Sequence, residues 1–140
     1  MSDYFVDTNL FLRFLTDDVP EQVKAIDRLL TRAEQGALKL HTSVLTIAEV
    51  VWTLESYYSL QPDDVRGKII GILNTPGLHV ENAELIARAM GLYVDENIDF
   101  VDAYNGLWMR HQGITRAITF DTKHFRRIPG ITSLTPSEVN

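Results

Sequence analysis

Apolar residues recur along the chain with two different periods, and short polar or glycine-containing segments separate these patterns. Spacings of three and four predict amphipathic helices, whereas short apolar or alternating runs predict strands. The predicted strands cover residues 4–6, 37–42, 78–80, 117–120 and 131–134. The predicted helices cover residues 9–15, 20–35, 44–58, 62–73, 85–90 and 99–112, with a turn or short helix around 124–125.

Strands that alternate with helical segments are typical of parallel sheets with helices on both faces. We therefore expect an α/β protein with a mainly parallel sheet of four to five strands. The chain has 140 residues and contains neither an internal repeat nor a linker. Since this is the length of one ordinary domain, we expect a single domain over residues 1–140.

Two of the predicted strands lead directly into an aspartate. The run Tyr4-Phe5-Val6 reads as a buried strand that ends at Asp7, and Ala117-Ile118-Thr119-Phe120 runs into Asp121. In an open α/β sheet, ligands bind beyond the carboxyl ends of the strands. The two aspartates therefore predict one shared acidic site, although either of them can also be a turn or capping residue.

Glu49 lies in the middle of a predicted helix that is apolar on nearly every side. Ser43 is a suitable N-cap for this helix, which we expect to be largely buried. An ionised carboxylate buried there without a partner is costly. Glu49 must therefore contact solvent, a cation or hydrogen-bond donors.

Asp99 and Asp102 stand three positions apart at the start of another predicted helix, so their side chains share one face. Like charges repel there, and the helix dipole relieves the repulsion only partly. Asp99 as N-cap, with Asp102 three residues later, is a purely structural alternative. The presence of further candidate acids, Asp7, Glu49 and Asp121, favours a functional interpretation of this pair.

Asp7, Glu49, Asp102 and Asp121 come from two strand ends and two helices, and no basic residue adjoins Glu49 or Asp102 in the sequence. A divalent metal ion would neutralise such a set. Oxygen ligands favour hard cations such as magnesium or manganese, while the lack of Cys and of a His pair at ligand spacing disfavours zinc. Metal held by carboxylates supports phosphodiester hydrolysis without a protein nucleophile.

The formal net charge of −6 argues at first against a nucleic-acid partner, but the charges are unevenly distributed. Residues 81–102 hold six acids and one base, whereas residues 110–127 hold five bases and one acid. An acidic cluster beside a basic stretch suits a metal site with an anionic substrate, and ordinary solvated helix faces are the structural alternative. The candidate phosphate-binding residues are Arg13, Arg116, Lys123 and Arg126.

The remaining composition points to the cytosol. The chain has no Cys, no apolar run of membrane-spanning length and no apolar region typical of a signal peptide. The helical spacing of four aromatic residues predicts that they belong to the core rather than to a base-stacking surface. These are Trp52, Phe100, Tyr104 and Trp108.

Four motifs together resemble those of PIN-domain nucleases, and more narrowly those of VapC-type toxins from bacterial toxin–antitoxin pairs. In chain order they are Tyr4-Phe5-Val6-Asp7-Thr8-Asn9, Ile47-Ala48-Glu49-Val50, Asp99-Phe100-Val101-Asp102-Ala103 and Ile118-Thr119-Phe120-Asp121. The likeness extends from residue 4 to about residue 134. One departure is Lys123, because many relatives carry a further aspartate two positions after the last acid.

The resemblance implies a three-layer α/β/α fold and an endoribonuclease that uses magnesium or manganese, the toxin of a type II toxin–antitoxin pair. It also implies a homodimer and an antitoxin whose tail covers the site. By this likeness, the metal ligands and catalytic residues are Asp7, Glu49, Asp102 and Asp121. Asp99 would be an auxiliary acid, and Asn9 and Thr119 would orient carboxylates or water.

Other functions fit less well. Haloacid-dehalogenase-like phosphatases call for a second aspartate two residues after the first, where this chain has Asn9. A receiver domain would need an acidic pair beside its phosphorylated aspartate and a suitably placed lysine, which we do not find. A catalytically inactive PIN-like module that binds RNA or protein is the non-enzymatic alternative, and the intact acid set argues against it.

Overall fold

The computed structural model of the chain describes residues 2–17 and 19–139, in which helices and parallel strands alternate. The strands are β1 (Ser2–Phe5), β2 (Leu38–Thr42), β3 (Leu78–Val80), β4 (Arg116–Ile118) and β5 (Thr132–Leu134). The helices are α1 (Thr8–Thr16), α2 (Pro20–Glu34), α3 (Val44–Ser56), α4 (Pro62–Leu73), α5 (Ala83–Asp95), α6 (Phe100–His111) and α7 (Thr122–Phe125), followed by a 3-10 turn at Pro136–Glu138. The chain forms two compact units that divide after Ala83.

The first unit contains a parallel sheet of three strands in the order β1-β2-β3. The imidazole of His41 on β2 contacts both neighbouring strands: its Nε2 lies 2.8 Å from Oδ1 of Asp3 on β1, and its ring stacks on that of His79 on β3. The hydrogen bond to His41 holds the pKa of the Asp3 carboxyl below its ordinary value. The contact with His79 follows the backbone register, whereas Asp3 lies two residues before Phe5, the register partner of His41 on β1.

The prediction of a buried strand at residues 4–6 is wrong for Tyr4 and Phe5 and is confirmed only for Val6, which is 4% exposed and directly follows β1. All four residues of β1 are exposed, and Phe5 keeps 64% of its accessible surface. Among the described strands, β1 lies at the edge of its sheet, next to β2. β2, at the centre, alternates instead and buries Leu38, Leu40 and Thr42. The apolar residues of β1 fit the strand pattern, but that pattern does not show how far they are covered.

The helices of the first unit begin where the sequence predicts. Pro20 and Pro62 occupy the first turns of α2 and α4, and Ser43 caps α3 by accepting a hydrogen bond from the backbone N–H of Thr46. The carboxylate of Glu81 accepts a further hydrogen bond at the start of α3, from the N–H of Val44 at 3.2 Å. The core side chains of these helices include Phe11, Leu12, Ile26, Ile47, Val50, Val51, Leu54, Val65, Ile69 and Ile72.

α3 is less buried than its composition predicts. Its inner face is fully covered, but Leu45 is 79% exposed and Trp52 is 65% exposed. Placing Trp52 in the core was therefore wrong, and so was placing Trp108 there, since it is 43% exposed. Phe100 is buried as predicted, and Tyr104 is intermediate.

The second unit combines α5, α6 and α7 with a parallel pair of strands, β4 and β5. Its buried side chains include Ile86, Met90, Ile98, Phe100, Leu107 and Ile128. β4 ends at Ile118, so Phe120, predicted to be in the strand, lies beyond it and is 87% exposed. The backbone N–H of Thr119 still donates to the carbonyl of Leu134, which keeps this segment beside β5.

The predicted α/β class with parallel strands is confirmed. Within the described residues, the strands form a sheet of three and a sheet of two, rather than the one sheet of four to five strands that was predicted. Among the described helices, none is long and apolar enough to cross a membrane.

Gly106 gives the second unit a testable packing constraint. A Cβ at this position would lie 2.5 Å from Cδ1 of Ile128, which is only 1% exposed, and 3.1 Å from Cδ1 of Ile131. We expect Gly106→Ala to lower the free energy of unfolding by about 1–3 kcal/mol in urea denaturation. Gly91→Ala is the matched control, because nothing lies within 4 Å of its added Cβ and alanine favours a helix by about 0.5–1 kcal/mol. Equal stability of the two variants would contradict this packing.

Candidate functional site

Asp7 is held at the junction of β1 and α1. The preceding residue, Val6, donates its N–H to the carbonyl of His41 and accepts a hydrogen bond from the hydroxyl of Thr42, both at 2.8 Å. Asp7 then caps α1, since its Oδ1 accepts from the N–H of Leu10 at 3.4 Å. The side chain of Asp7 is exposed. The predicted capping role is therefore present, and the carboxylate faces solvent.

Glu49 points away from the buried face of α3 and is exposed. The free-energy cost of burying an unpaired carboxylate therefore does not arise, because the side chain faces solvent rather than the core. One turn later, the Thr53 hydroxyl donates to the backbone carbonyl of Glu49 at 2.9 Å.

Asp99 is the N-cap of α6, and its Oδ2 accepts from the N–H of Val101 at 3.2 Å. The structural alternative considered for this acid is thus realised. Asp102 lies in the first turn of the same helix and is partly buried. Two of the six acids in residues 81–102 are therefore helix caps, Glu81 on α3 and Asp99 on α6.

Asp121 follows β4 and is exposed. Its backbone N–H donates to the hydroxyl of Thr119 at 2.9 Å, while the N–H of Thr119 is bound to the carbonyl of Leu134. Thr119 thus fixes the turn that presents Asp121. The role in orienting carboxylates or water that the resemblance implies for Thr119 stays a prediction.

The candidate ligands divide between the units: Asp7 and Glu49 belong to the first, and Asp102 and Asp121 to the second. Within the described residues, no group of three or more Asp, Glu or His side chains is arranged to hold a metal ion. The convergence of the four acids stays a prediction. Their donor chemistry fits a hard divalent cation, because all four offer carboxylate oxygens and three of them are exposed.

A polar cavity of about 280 Å³ lies between α1 and the end of α3 in the first unit. Its lining residues are Asn9, Leu12, Arg13, Thr53, Tyr57 and Tyr58. Sequence reasoning named Asn9 and Arg13 but missed the two tyrosines. The only available signal was their position at the end of the predicted helix that carries Glu49.

The sequence comparisons identify the family. A model of the PIN domain matches residues 4–131, which include all four acids. The chain belongs to the PIN domain family. This PIN domain is also similar to a VapC ribonuclease of Aquifex aeolicus (strain VF5), with 27% identity over 133 residues, which is 95% of this chain and 96% of the relative. No solved structure matches the chain significantly.

The basic residues of this PIN domain have different roles. Arg13, Arg116, Lys123 and Arg126, the predicted phosphate-binding residues, are all exposed. Arg127 is partly buried, and its guanidinium donates to the backbone carbonyl of Glu96 at 2.7 Å and to that of Asn97 at 3.4 Å. Arg127 therefore holds the loop that leads to Asp99, which its place in a basic stretch did not reveal.

Capping and charge can be separated at Asp99. We expect Asp99→Ala to lower the free energy of unfolding by about 0.5–2 kcal/mol, because the N–H of Val101 loses its acceptor. Asp99→Asn should be nearly as stable as the unmodified chain, since asparagine caps equally well. Thermal and urea denaturation measure both values. Equal destabilisation by the two changes would show that charge, not capping, is what the fold needs there.

The adjacent arginines give a second comparison. Arg127→Ala should cost about 1.5–3 kcal/mol of stability, because it removes charged donors from two carbonyls. Arg126→Ala should change stability by less than about 0.5 kcal/mol, as expected for an exposed side chain. Urea denaturation of both variants tests this, and a similar loss for each would refute a loop-holding role specific to Arg127.

Proposed function

We propose that this PIN domain is a metal-dependent endoribonuclease that hydrolyses RNA phosphodiester bonds. The observation that carries the proposal is the family match over residues 4–131, which contains every acid of the four motifs. The similarity to a VapC ribonuclease over nearly the full length of both chains supports RNA as the substrate. The exposure of Asp7, Glu49 and Asp121 supports it further, since a ligand has to reach these carboxylates.

In this proposal, Asp7, Glu49, Asp102 and Asp121 hold magnesium or manganese. The assignment is carried by the motifs and by family membership. The chemistry that a bound divalent cation supplies is activation of water and stabilisation of the leaving oxygen of a phosphodiester. The capping hydrogen bond at Asp7 uses Oδ1, so its second oxygen can serve a cation without loss of the cap.

Other residues support binding and orientation. Thr119 holds the backbone of Asp121 through its hydroxyl, and Asn9, two residues after Asp7, offers an amide that can orient a carboxylate or water. Asp99 acts as an auxiliary acid at the start of the helix that carries Asp102. Four exposed bases hold the phosphates of the substrate. These are Arg13, Arg116, Lys123 and Arg126.

The proposed biological setting is a type II toxin–antitoxin pair in the cytoplasm. The chain would act as one catalytic domain of the toxin, form a homodimer, and be inhibited by an antitoxin that covers the acidic site. The resemblance to VapC-type toxins supports this setting. An RNA-binding module without turnover is the alternative that the following experiment distinguishes.

We expect the purified chain to cleave single-stranded RNA in magnesium or manganese and to stop when chelator is added. Asp7→Asn and Asp102→Asn should each lower kcat by at least about 100-fold, because a ligand and a negative charge are lost. Their thermal stability should equal or exceed that of the unmodified chain, since repulsion is relieved and asparagine retains the cap at position 7. Cleavage assays and thermal denaturation measure the two effects.

Asp27→Asn is a matched control, because Asp27 is an exposed carboxylate on α2 outside the four motifs. Manganese should raise the melting temperature of the unmodified chain and of Asp27→Asn, but not that of Asp7→Asn, since a ligand that binds the folded state stabilises it. RNA cleavage that survives chelator or Asp102→Asn would exclude the metal-dependent mechanism. RNA binding without turnover would identify the inactive module.

A further inference from the structure

We propose that the polar cavity between α1 and α3 is a subsite for one nucleotide of the substrate, with Tyr57 as the residue that stacks on its base. This inference rests on the proposed function for its substrate class, single-stranded RNA. It adds residues that the four acidic motifs do not contain. The cavity is formed entirely by residues of the first unit.

The size and chemistry of the cavity fit one nucleotide. Its volume of about 280 Å³ lies just below the range of about 300–1,000 Å³ for small-ligand sites, which suits a subsite that encloses only part of a strand. Among the six described residues that line it, Arg13 carries a positive charge and none is acidic. Two aromatic rings, an amide and a hydroxyl complete the lining. A cation for phosphate next to an aromatic ring for a base is the combination used by proteins that bind single strands.

Tyr57 is suited to stacking because the residue is 77% exposed, while its backbone is held at the C-cap of α3. The ring of Tyr58 meets it at 74°, with centroids 4.9 Å apart, an edge-to-face pair that restricts the orientation of both rings. A large aromatic side chain that is ordered and exposed leaves apolar area uncovered. A nucleobase can cover that area with little loss of side-chain freedom.

The polar groups of the cavity differ in whether they can donate or accept hydrogen bonds to a ligand. The Thr53 hydroxyl donates its proton to the carbonyl of Glu49, so toward a ligand it acts as an acceptor. The Asn9 amide can both donate and accept, as recognition of a base edge requires. Arg13 lies one turn after Asn9 on the same face of α1 and supplies the charge for a phosphate.

The cavity is lined by residues of the same two helices that carry or follow two of the proposed metal ligands. Asn9 lies on α1, two residues after the N-cap Asp7, and Thr53 lies one turn after Glu49 on α3. With a rise of 1.5 Å per residue, Tyr57 lies about 12 Å along α3 from Glu49. A base stacked there belongs to a nucleotide flanking the bond that is cut. The subsite would therefore hold the strand in register with the acids.

The test measures binding of a fluorescein-labelled RNA of mixed sequence by anisotropy, with the chain in the Asp102→Asn background so that the probe stays intact. Tyr57→Ala should weaken binding at least about fivefold, the lower limit for loss of one base stack, and Tyr57→Phe should restore it. Trp52→Ala should bind like the parent. It is the matched control, because Trp52 is an exposed aromatic residue on α3 that does not line the cavity.

Salt dependence separates stacking from charge. Arg13→Ala should reduce the slope of log K against log salt by about 0.7, the value for one phosphate of a single strand, whereas Tyr57→Ala should leave the slope unchanged. Single-stranded DNA of the same sequence should lose affinity by the same factor on Tyr57→Ala, because a base rather than the 2′-hydroxyl is stacked. A loss confined to RNA would overturn base stacking.

The two proposals can fail independently. If the unmodified chain cleaves RNA in magnesium but Tyr57→Ala binds the probe as tightly as its parent, the subsite is refuted and the nuclease assignment stands. If the unmodified chain cleaves no RNA, yet binding still depends on Tyr57 and not on Trp52, the nuclease assignment fails and the subsite stands. A KM that rises in Tyr57→Ala while kcat is unchanged would further support binding by stacking.

Discussion

Two hydrogen bonds fix the backbone at Val6, and the position of the first candidate acid depends on them. The N–H of Val6 binds the carbonyl of His41, and its own carbonyl accepts the hydroxyl of Thr42. Thr42 is only 5% exposed, so water competes little for this hydroxyl. The side chains of β1 are exposed, but Val6 directly after it is only 4% exposed, so backbone pairing and burial of this one side chain together anchor the strand end that leads into Asp7 and α1.

Capping and catalysis are compatible roles for the acids of this chain. Asp7 and Asp99 each use one carboxylate oxygen to accept a helix N–H, which satisfies a donor that would otherwise lack a partner. A second oxygen on each remains for other contacts. The cap fixes the backbone and restricts the rotamer of the carboxylate, so an aspartate at a helix start is already oriented before any cation binds. Structural use of these residues therefore does not argue against a functional one.

The sequence was sufficient to predict the elements but not their exposure. Periodicity located α4 and β3 at their observed bounds, because spacing and proline position report local conformation. It misplaced Phe5 and Trp52, because an apolar side chain does not reveal whether a neighbour covers it. The acids were found through their motifs. Thr42, which helps to hold the strand end before Asp7, was missed because its partner is 36 residues away in the chain.

Arg126 and Arg127 show why charge pattern alone cannot identify a nucleic-acid surface. They are adjacent in the sequence, yet Arg126 is exposed and Arg127 is partly buried against the carbonyls of the loop before Asp99. Counting bases treats the two residues as equal. The hydrogen bonds distinguish Arg126, which is exposed and can bind phosphate, from Arg127, which stabilises the fold. The same reasoning favours the cavity beside α1, where Arg13 is joined by an exposed aromatic ring, over the basic stretch as the more specific contact with substrate.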